Sequence, residues 1–389
     1  MKKALVVLLL LAFTAGGLFA QFSFSGLIHA GFGGVIVGDN EPAFGMIRRA
    51  SGGDGMRAQL AATFTNEEKT AGISMALRAN GGGADGVITP GFQWAYGWVS
   101  GLDGMLTAMG GRFFGWEFDP YDAQAAWVGG WANGHAIVGA IKPIDMLSIA
   151  YGVVGKNAGL SLSRPGEWGV INLVGVGVRV PDVLDVNIAS RIGFKLTDIY
   201  ASFRVTALDN IGIKLTAVAM NLHDFSDAGY MSLYEEVNLN GLVDNLSINL
   251  LFLQSIAQKE AAAAVSGTTT IAPKDKDLVF RGWAWASYAI GNIVPRLDVS
   301  YVTGTRYSFN RGLNDLASVF RDGAYHGYDY NANYSYMTVG LSCQFRVAGN
   351  RYFEVGYILG ADLGKTGYNS FGGNNDMAHM FHLGVTTVF

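Results

Sequence analysis

The feature that most constrains this chain is a period of two that returns along nearly its whole length. From Asp54 to Asn66, Met56, Ala58, Leu60, Ala62 and Phe64 alternate with Arg57, Gln59, Ala61, Thr63 and Thr65. Ile73, Met75, Leu77 and Ala79 alternate with Gly72, Ser74, Ala76, Arg78 and Asn80. Ile199, Ala201, Phe203 and Val205 alternate with Tyr200, Ser202, Arg204 and Thr206. Successive side chains of a strand leave on opposite faces, so residues i, i+2 and i+4 share one. A helix would scatter these residues around its circumference. Each segment therefore reads as a strand with one apolar and one polar side.

Eighteen such segments can be marked. They lie near 22–36, 54–65, 70–80, 91–100, 105–116, 134–142, 146–155, 168–180 and 184–194. The series continues near 199–207, 211–221, 230–240, 246–256, 278–290, 296–304, 333–346, 351–361 and 377–389. Sixteen is the nearest rival count, because the boundaries over 105–142 are soft. Most segments cover about 9–14 residues, near the ~9–11 that a tilted strand needs to cross a bilayer.

The links between segments are of two kinds. Short ones fall at Asn66 to Lys69, Gly101 to Gly104, Lys142 to Asp145, Pro181 to Val183, Leu208 to Asn210, Gly241 to Asn245, Gly291 to Pro295 and Ala348 to Asn350. Several carry Asp or Asn, often beside Pro, before a fresh alternating run, as in Pro181-Asp182-Val183-Leu184 and Val243-Asp244-Asn245-Leu246. These residues favour turns because Pro presets φ and because Asp and Asn bond their own backbone and tolerate positive φ. Longer links fall near 38–53, 117–133, 156–167, 257–277, 305–332 and 362–376. Alternation of the two kinds puts tight turns on one rim and loops on the other, the arrangement of a transmembrane barrel.

Composition narrows the solvent. Hydrophobic types make up 50% of the 389 residues, charged types only 15%, and Gly accounts for 54. A soluble domain carries about 25% charged residues. One Cys excludes an internal disulfide framework and a Cys-rich zinc module. A formal charge of −4 without basic runs argues against a nucleic-acid partner. Met1-Lys2-Lys3, the apolar run Ala4 to Phe13 and the small-residue stretch to Ala20 read as a secretory signal over 1–20. Its removal leaves 25 basic against 31 acidic residues, a charge of −6. Beyond residue 20 no run of 18 apolar residues occurs, so helical spans are not expected. Residues 21–389 read as one all-β domain, a closed antiparallel transmembrane barrel, because only closed sheets satisfy every backbone group in lipid. Phe22, Phe24, Phe194, Tyr288 and Phe353 near segment ends fit its interfacial girdles.

The last segment places Phe381, Leu383, Val385, Thr387 and Phe389 on one face, with Phe as the terminal residue. This resembles the C-terminal signature of bacterial outer-membrane β-barrel, porin-like proteins. The resemblance implies an exported chain in the outer membrane, an assembly signal at Phe389 for the β-barrel assembly machinery, and no cofactor. A homo-trimer is compatible with it, since outward apolar faces look alike whether they meet lipid or a second protomer.

With the apolar face outward, parity turns Arg57, Arg78, Arg179, Arg191, Arg204, Lys214, Arg281 and Arg346 inward, with Asp185, Asp298 and Glu354 as clear inward acids. Such cations either line the pore and favour anions or brace loop carboxylates; both readings stay open. Glu117, Asp119 and Asp122 stand in a loop placed like the constriction loop of general porins, or lie on a surface loop. Trp283 and Trp285 share the parity of Arg281, where aromatic faces stack on sugar rings in sugar-selective porins. A girdle on the other face competes equally.

The function expected is passive diffusion of small hydrophilic solutes, with an anion preference if the inward cations line the pore. The alternative is a surface adhesin or antigen whose loops, such as Tyr325 to Tyr336, bind host or matrix partners. A barrel enzyme ranks lower. Its only cluster is His326 with Asp322 and Asp329, and no H-E-x-x-H, Walker-A or G-x-S-x-G pattern occurs. His379 and His382, three apart in a strand, fall on opposite faces and are no metal pair. Cys343 shares the lipid-facing parity of Met337, Val339 and Leu341.

Overall fold

A computed structural model describes residues 21–37, 43–46, 56–81, 89–115, 132–155, 170–193, 196–205, 208, 210–220, 222, 230–259, 265–266, 269–270, 275–305, 333–348, 351–363 and 377–388. The signal segment 1–20, the loop carrying Glu117, Asp119 and Asp122, the His326 cluster, Phe194 and Phe389 lie outside the described residues.

Eighteen strands form the wall. They are β1 (Gln21–Val37), β2 (Met56–Thr65), β3 (Ala71–Gly81), β4 (Thr89–Gly101), β5 (Leu106–Gly115) and β6 (Ala132–Ile144). Next come β7 (Leu147–Gly155), β8 (Val170–Val180), β9 (Leu184–Gly193), β10 (Leu196–Val205), β11 (Ile211–Met220) and β12 (Tyr230–Asn240). The series ends with β13 (Leu246–Lys259), β14 (Asp275–Tyr288), β15 (Ile293–Thr305), β16 (Asn333–Ala348), β17 (Arg351–Asp362) and β18 (Met377–Val388). Every sequential pair is antiparallel, and β1 pairs with both β2 and β18, so the sheet closes on itself. A four-residue strand, Ala43–Met46, extends the free edge of β1 beyond β2.

The fold is thus an 18-stranded closed antiparallel transmembrane β-barrel. All eighteen expected segments are present, over 105–142 as elsewhere. Several reach further toward the loop rim than alternation suggested: β13 runs to Lys259 and β14 starts at Asp275, still paired with it. One loop-rim link is short. Gly193 ends β9 already paired with Leu196, which opens β10.

The turn rim is built as the sequence suggests. Asp182 and Asn245 take φ of 57° and 64°, and Gly241 and Gly291 take 83° and 56°. At Leu102, Asp103 and Gly104 the left-handed conformation occurs three times in succession, at 52°, 54° and 85°.

Adjacent residues reveal the two faces. Ile137 is 73% exposed and Val138 is 0% exposed; Phe381 and Leu383 are 51% and 54% exposed around His382 at 6%. A sheet that shows its large apolar side chains outward suits lipid, where covering a Phe or Leu contributes roughly 1.5–3 kcal/mol. Phe22, Phe24, Phe64, Tyr288, Phe345 and Phe353 lie outward beside the turn rim. Phe22 packs against Phe64 at 4.7 Å. Near the other rim Phe32 stacks on Phe44, and Tyr357 meets Phe381 at 4.9 Å with the rings tilted by 46°. These are two aromatic girdles with an apolar band between them. Among the described residues no helix is long and apolar enough to cross a membrane.

Candidate functional site

The inner wall holds the concentrated polar chemistry, and strand register assembles it. Arg179 on β8 faces Asp185 on β9, and Arg179 Nε donates to Asp185 Oδ1 at 2.8 Å. Asp185 is opposite Arg204 on β10, Arg204 opposite Lys214 on β11, and Lys214 opposite Glu236 on β12. Lys214 Nζ lies 3.5 Å from Glu236 Oε2, and Asn238 Nδ2 donates to Glu236 Oε1 at 3.0 Å. A second rung toward the loop rim joins Arg191 to the buried Asp198 at 3.9 Å. The result is a charged ladder across five strands in which each acid lies beside a cation and two cations, Arg204 and Lys214, stand opposite one another.

On β14 and β15 the ladder becomes aromatic. Asp298 is buried and accepts from Arg296 Nε at 2.8 Å, from Arg296 Nη2 at 2.5 Å and from Trp283 Nε1 at 3.2 Å. The Arg296 guanidinium carbon sits 4.3 Å from the Trp285 ring centroid and 5.9 Å from that of Trp283. One carboxylate and two indoles therefore hold one arginine, by ion pairing and by attraction of the cation to the ring faces.

Over the last three strands, β16 to β18, Gln344 Nε2 donates to Glu354 Oε2 at 2.9 Å, and His382 Nε2 lies 3.0 Å from Glu354 Oε1. The imidazole lies over Gly356, where a Cβ would stand 2.0 Å from its Cε1. His29 bonds Thr386 and is opposite Arg57. His379, on the other face, meets Tyr357 Oη at 2.7 Å, so the two histidines are separated by the wall.

From β4 to β10 the inner face changes character. Phe113, Val138, Leu173 and Tyr200 are fully buried there, with Ala136, Ala150, Val154 and Ile171 beside them. Trp94, Tyr96 and Trp98 take alternate inward positions on β4 and are only half-buried. The interior thus has a charged zone on β8 to β12 and an apolar, aromatic zone on β4 to β10, which overlap on β8 to β10.

No family model matches the chain, and no curated protein does. Solved structures do match. OprD of Pseudomonas aeruginosa aligns over 96% of this chain and 96% of its own, with TM-score 0.53 and 11% identity. A doubly substituted OccD1 (OprD) gives 0.52 at 12% identity, covering 96% of both chains. OccAB3 of Acinetobacter baumannii gives 0.50 at 9% identity, covering 95% of this chain and 100% of that one. The chain has the fold of a bacterial outer-membrane barrel. At these identities the likeness concerns that fold alone.

Within this outer-membrane-type barrel, register turns Arg57, Arg78, Arg179, Arg191, Arg204, Lys214 and Arg346 toward the interior, and Arg281 occupies the same inward register, opposite Leu253 and Val302. Arg346 stands at the turn rim and is exposed; Arg204 is exposed as well. Asp185, Asp298 and Glu354 face inward, and so do Asp198 and Glu236, which alternation had not marked. Arg296 and the β4 aromatics were also missed. The signal that finds them is register: each lies opposite a residue whose face is already known. Cys343 lies outward between Pro295 and Val355. Among the described residues no group of His, Cys, Asp and Glu could hold a metal ion.

Proposed function

We propose that this barrel is a porin, a passive outer-membrane channel for small hydrophilic solutes. One observation carries the reading: the wall shows apolar side chains to its surroundings while its interior carries, over β8 to β12 and again over β14 to β18, rows of charged and hydrogen-bonding groups. Fixed dipoles and charges along an inner wall replace part of a solute's hydration without binding it irreversibly. Such a channel needs no cofactor and no catalytic step. The membrane that contains it is the outer one, reached by export and assembly from the C-terminal strand.

A weak anion preference belongs to the same reading. Arg179, Arg191, Lys214 and Arg296 each have an acid within 4 Å. Paired charges cancel at a distance, so they contribute little to the field along the axis. Among the described residues Arg57, Arg204 and Arg346 have no acidic partner, which leaves an inward excess of positive charge.

Planar-bilayer recording of the refolded protein tests the proposal. Stable ohmic current steps, with a reversal potential displaced modestly toward that of chloride in a KCl gradient, are expected. A membrane that stays closed rejects the channel; a displacement toward potassium rejects the anion preference alone.

A further inference from the structure

We propose that Trp94, Tyr96 and Trp98 form a stacking track for neutral polyhydroxylated solutes, sugars in particular, inside the channel; this rests on the channel reading above and names a solute class for it.

The track follows from how the rings are held. Alternate residues on a strand stand roughly 7 Å apart, and the Tyr96 and Trp98 centroids are 6.3 Å apart. Their register partners on β3 are all small: Gly72 opposite Trp98, Ser74 opposite Tyr96 and Ala76 opposite Trp94. A Cβ at Gly72 would stand 2.3 Å from Trp98 Cζ2, so this indole lies down over the glycine. Trp94 reaches diagonally, and its Nε1 donates to Ser74 Oγ at 3.2 Å. Tyr96 is backed on its other side by Phe113, stacked at 5.0 Å with 20° between the planes. A ring laid against its neighbouring strand turns a face, not an edge, toward the cavity.

Exposure separates this column from its inward-facing neighbours on β5, β6 and β8. Phe113, Val138 and Leu173 are closed off, whereas the three β4 rings keep part of their surface open. The flank of Tyr96 and Trp98 is hydroxylated, with Ser100 Oγ 3.0 Å from Thr107 Oγ1 and Thr63 Oγ1 donating to Ser74 Oγ at 3.3 Å, and a cation, Arg78, stands one inward position beyond Ala76. Strands β2 to β6 contain no Asp or Glu, so a cationic solute would find the ring faces but no counter-charge there. Flat apolar faces edged by neutral hydroxyls fit the C–H face and the hydroxyl rim of a sugar ring.

The test is ion current through the refolded channel with maltose or maltohexaose added to either chamber. Concentration-dependent interruption of the current is expected. Trp94→Ala and Trp98→Ala should each raise the half-blocking concentration about three- to tenfold, the worth of one aromatic contact. Leu341→Ala, on the outward face, should leave it unchanged. If an alanine variant does not fold, Trp98→Phe keeps a smaller platform and should weaken block by a smaller factor. Current that ignores both sugars overturns the track while the channel stands. Block that is unaltered in every tryptophan variant also overturns it. A membrane that never conducts removes the channel reading and the track together.

Discussion

Leu102 adopts a left-handed backbone in the turn between β4 and β5, where Gly104 N donates to Gly101 O at 3.2 Å and Met105 N to Leu102 O at 3.0 Å. A side chain with a full Cβ resists that conformation, and Asn tolerates it. Leu102→Asn should therefore raise the unfolding free energy by roughly 1 kcal/mol, read by urea titration of the protein in lipid vesicles. A loss of stability would show that the Leu102 side chain contributes more at the membrane surface than its backbone costs. Glu235 poses the opposite case. It faces outward between Leu215 and Phe252 because its neighbour Glu236 takes the inward place beside Lys214. Glu235→Leu should stabilise the barrel by about 1–2 kcal/mol, since a carboxylate on the lipid face is unfavourable. The same titration measures it, and destabilisation would mean that Glu235 has a polar partner outside the barrel. This pair also marks where sequence reading stops. Two adjacent acids in a strand must face opposite ways, and only the cross-strand partner decides which. Asp198 escaped for a related reason: it precedes Ile199, where clear alternation begins.

At the scale of single strands, parity is legible wherever one face is apolar and the other polar. This holds for β2, β3, β9 and β10, whose inward arginines could be named from alternation. It fails on β4, where Trp94, Tyr96 and Trp98 alternate with Ala95, Gly97 and Val99. Both sets are apolar, so hydropathy carries no information about which faces lipid. The distinction is one of size and register: the large rings lie over the small residues of β3. On β14 alternation put the two tryptophans on the parity of Arg281 but left a girdle on the other face as an equal reading, and the arginine between their rings was not legible, because it comes from β15. That cluster gives a prediction at this scale. Asp298→Asn removes the charge that neutralises Arg296 while keeping hydrogen-bonding capacity. The reversal potential in a KCl gradient should shift toward the chloride value, and stability should fall by about 1–3 kcal/mol. An unchanged reversal potential would place Arg296 away from the ion path.

Across the whole molecule, closure does what a core does in a soluble protein. The seam between β1 and β18 pairs residues 27–37 with 378–388 and leaves no strand edge open to lipid. Strand number and the inside-out distribution of side chains were readable, since both follow from alternation repeated many times. The division of the interior into overlapping charged and aromatic zones was not, because it depends on which strands become neighbours in register. Orientation of the two faces underlies every functional statement made for this barrel. A single-cysteine spin-label scan along β8, in a Cys343→Ser background and in lipid vesicles, measures that orientation directly. Oxygen accessibility should peak at positions 174, 176 and 178 and fall at 173, 175 and 177. Maxima at the odd positions, or no alternation at all, would contradict a wall that turns its apolar side chains to lipid and its polar ones to the cavity.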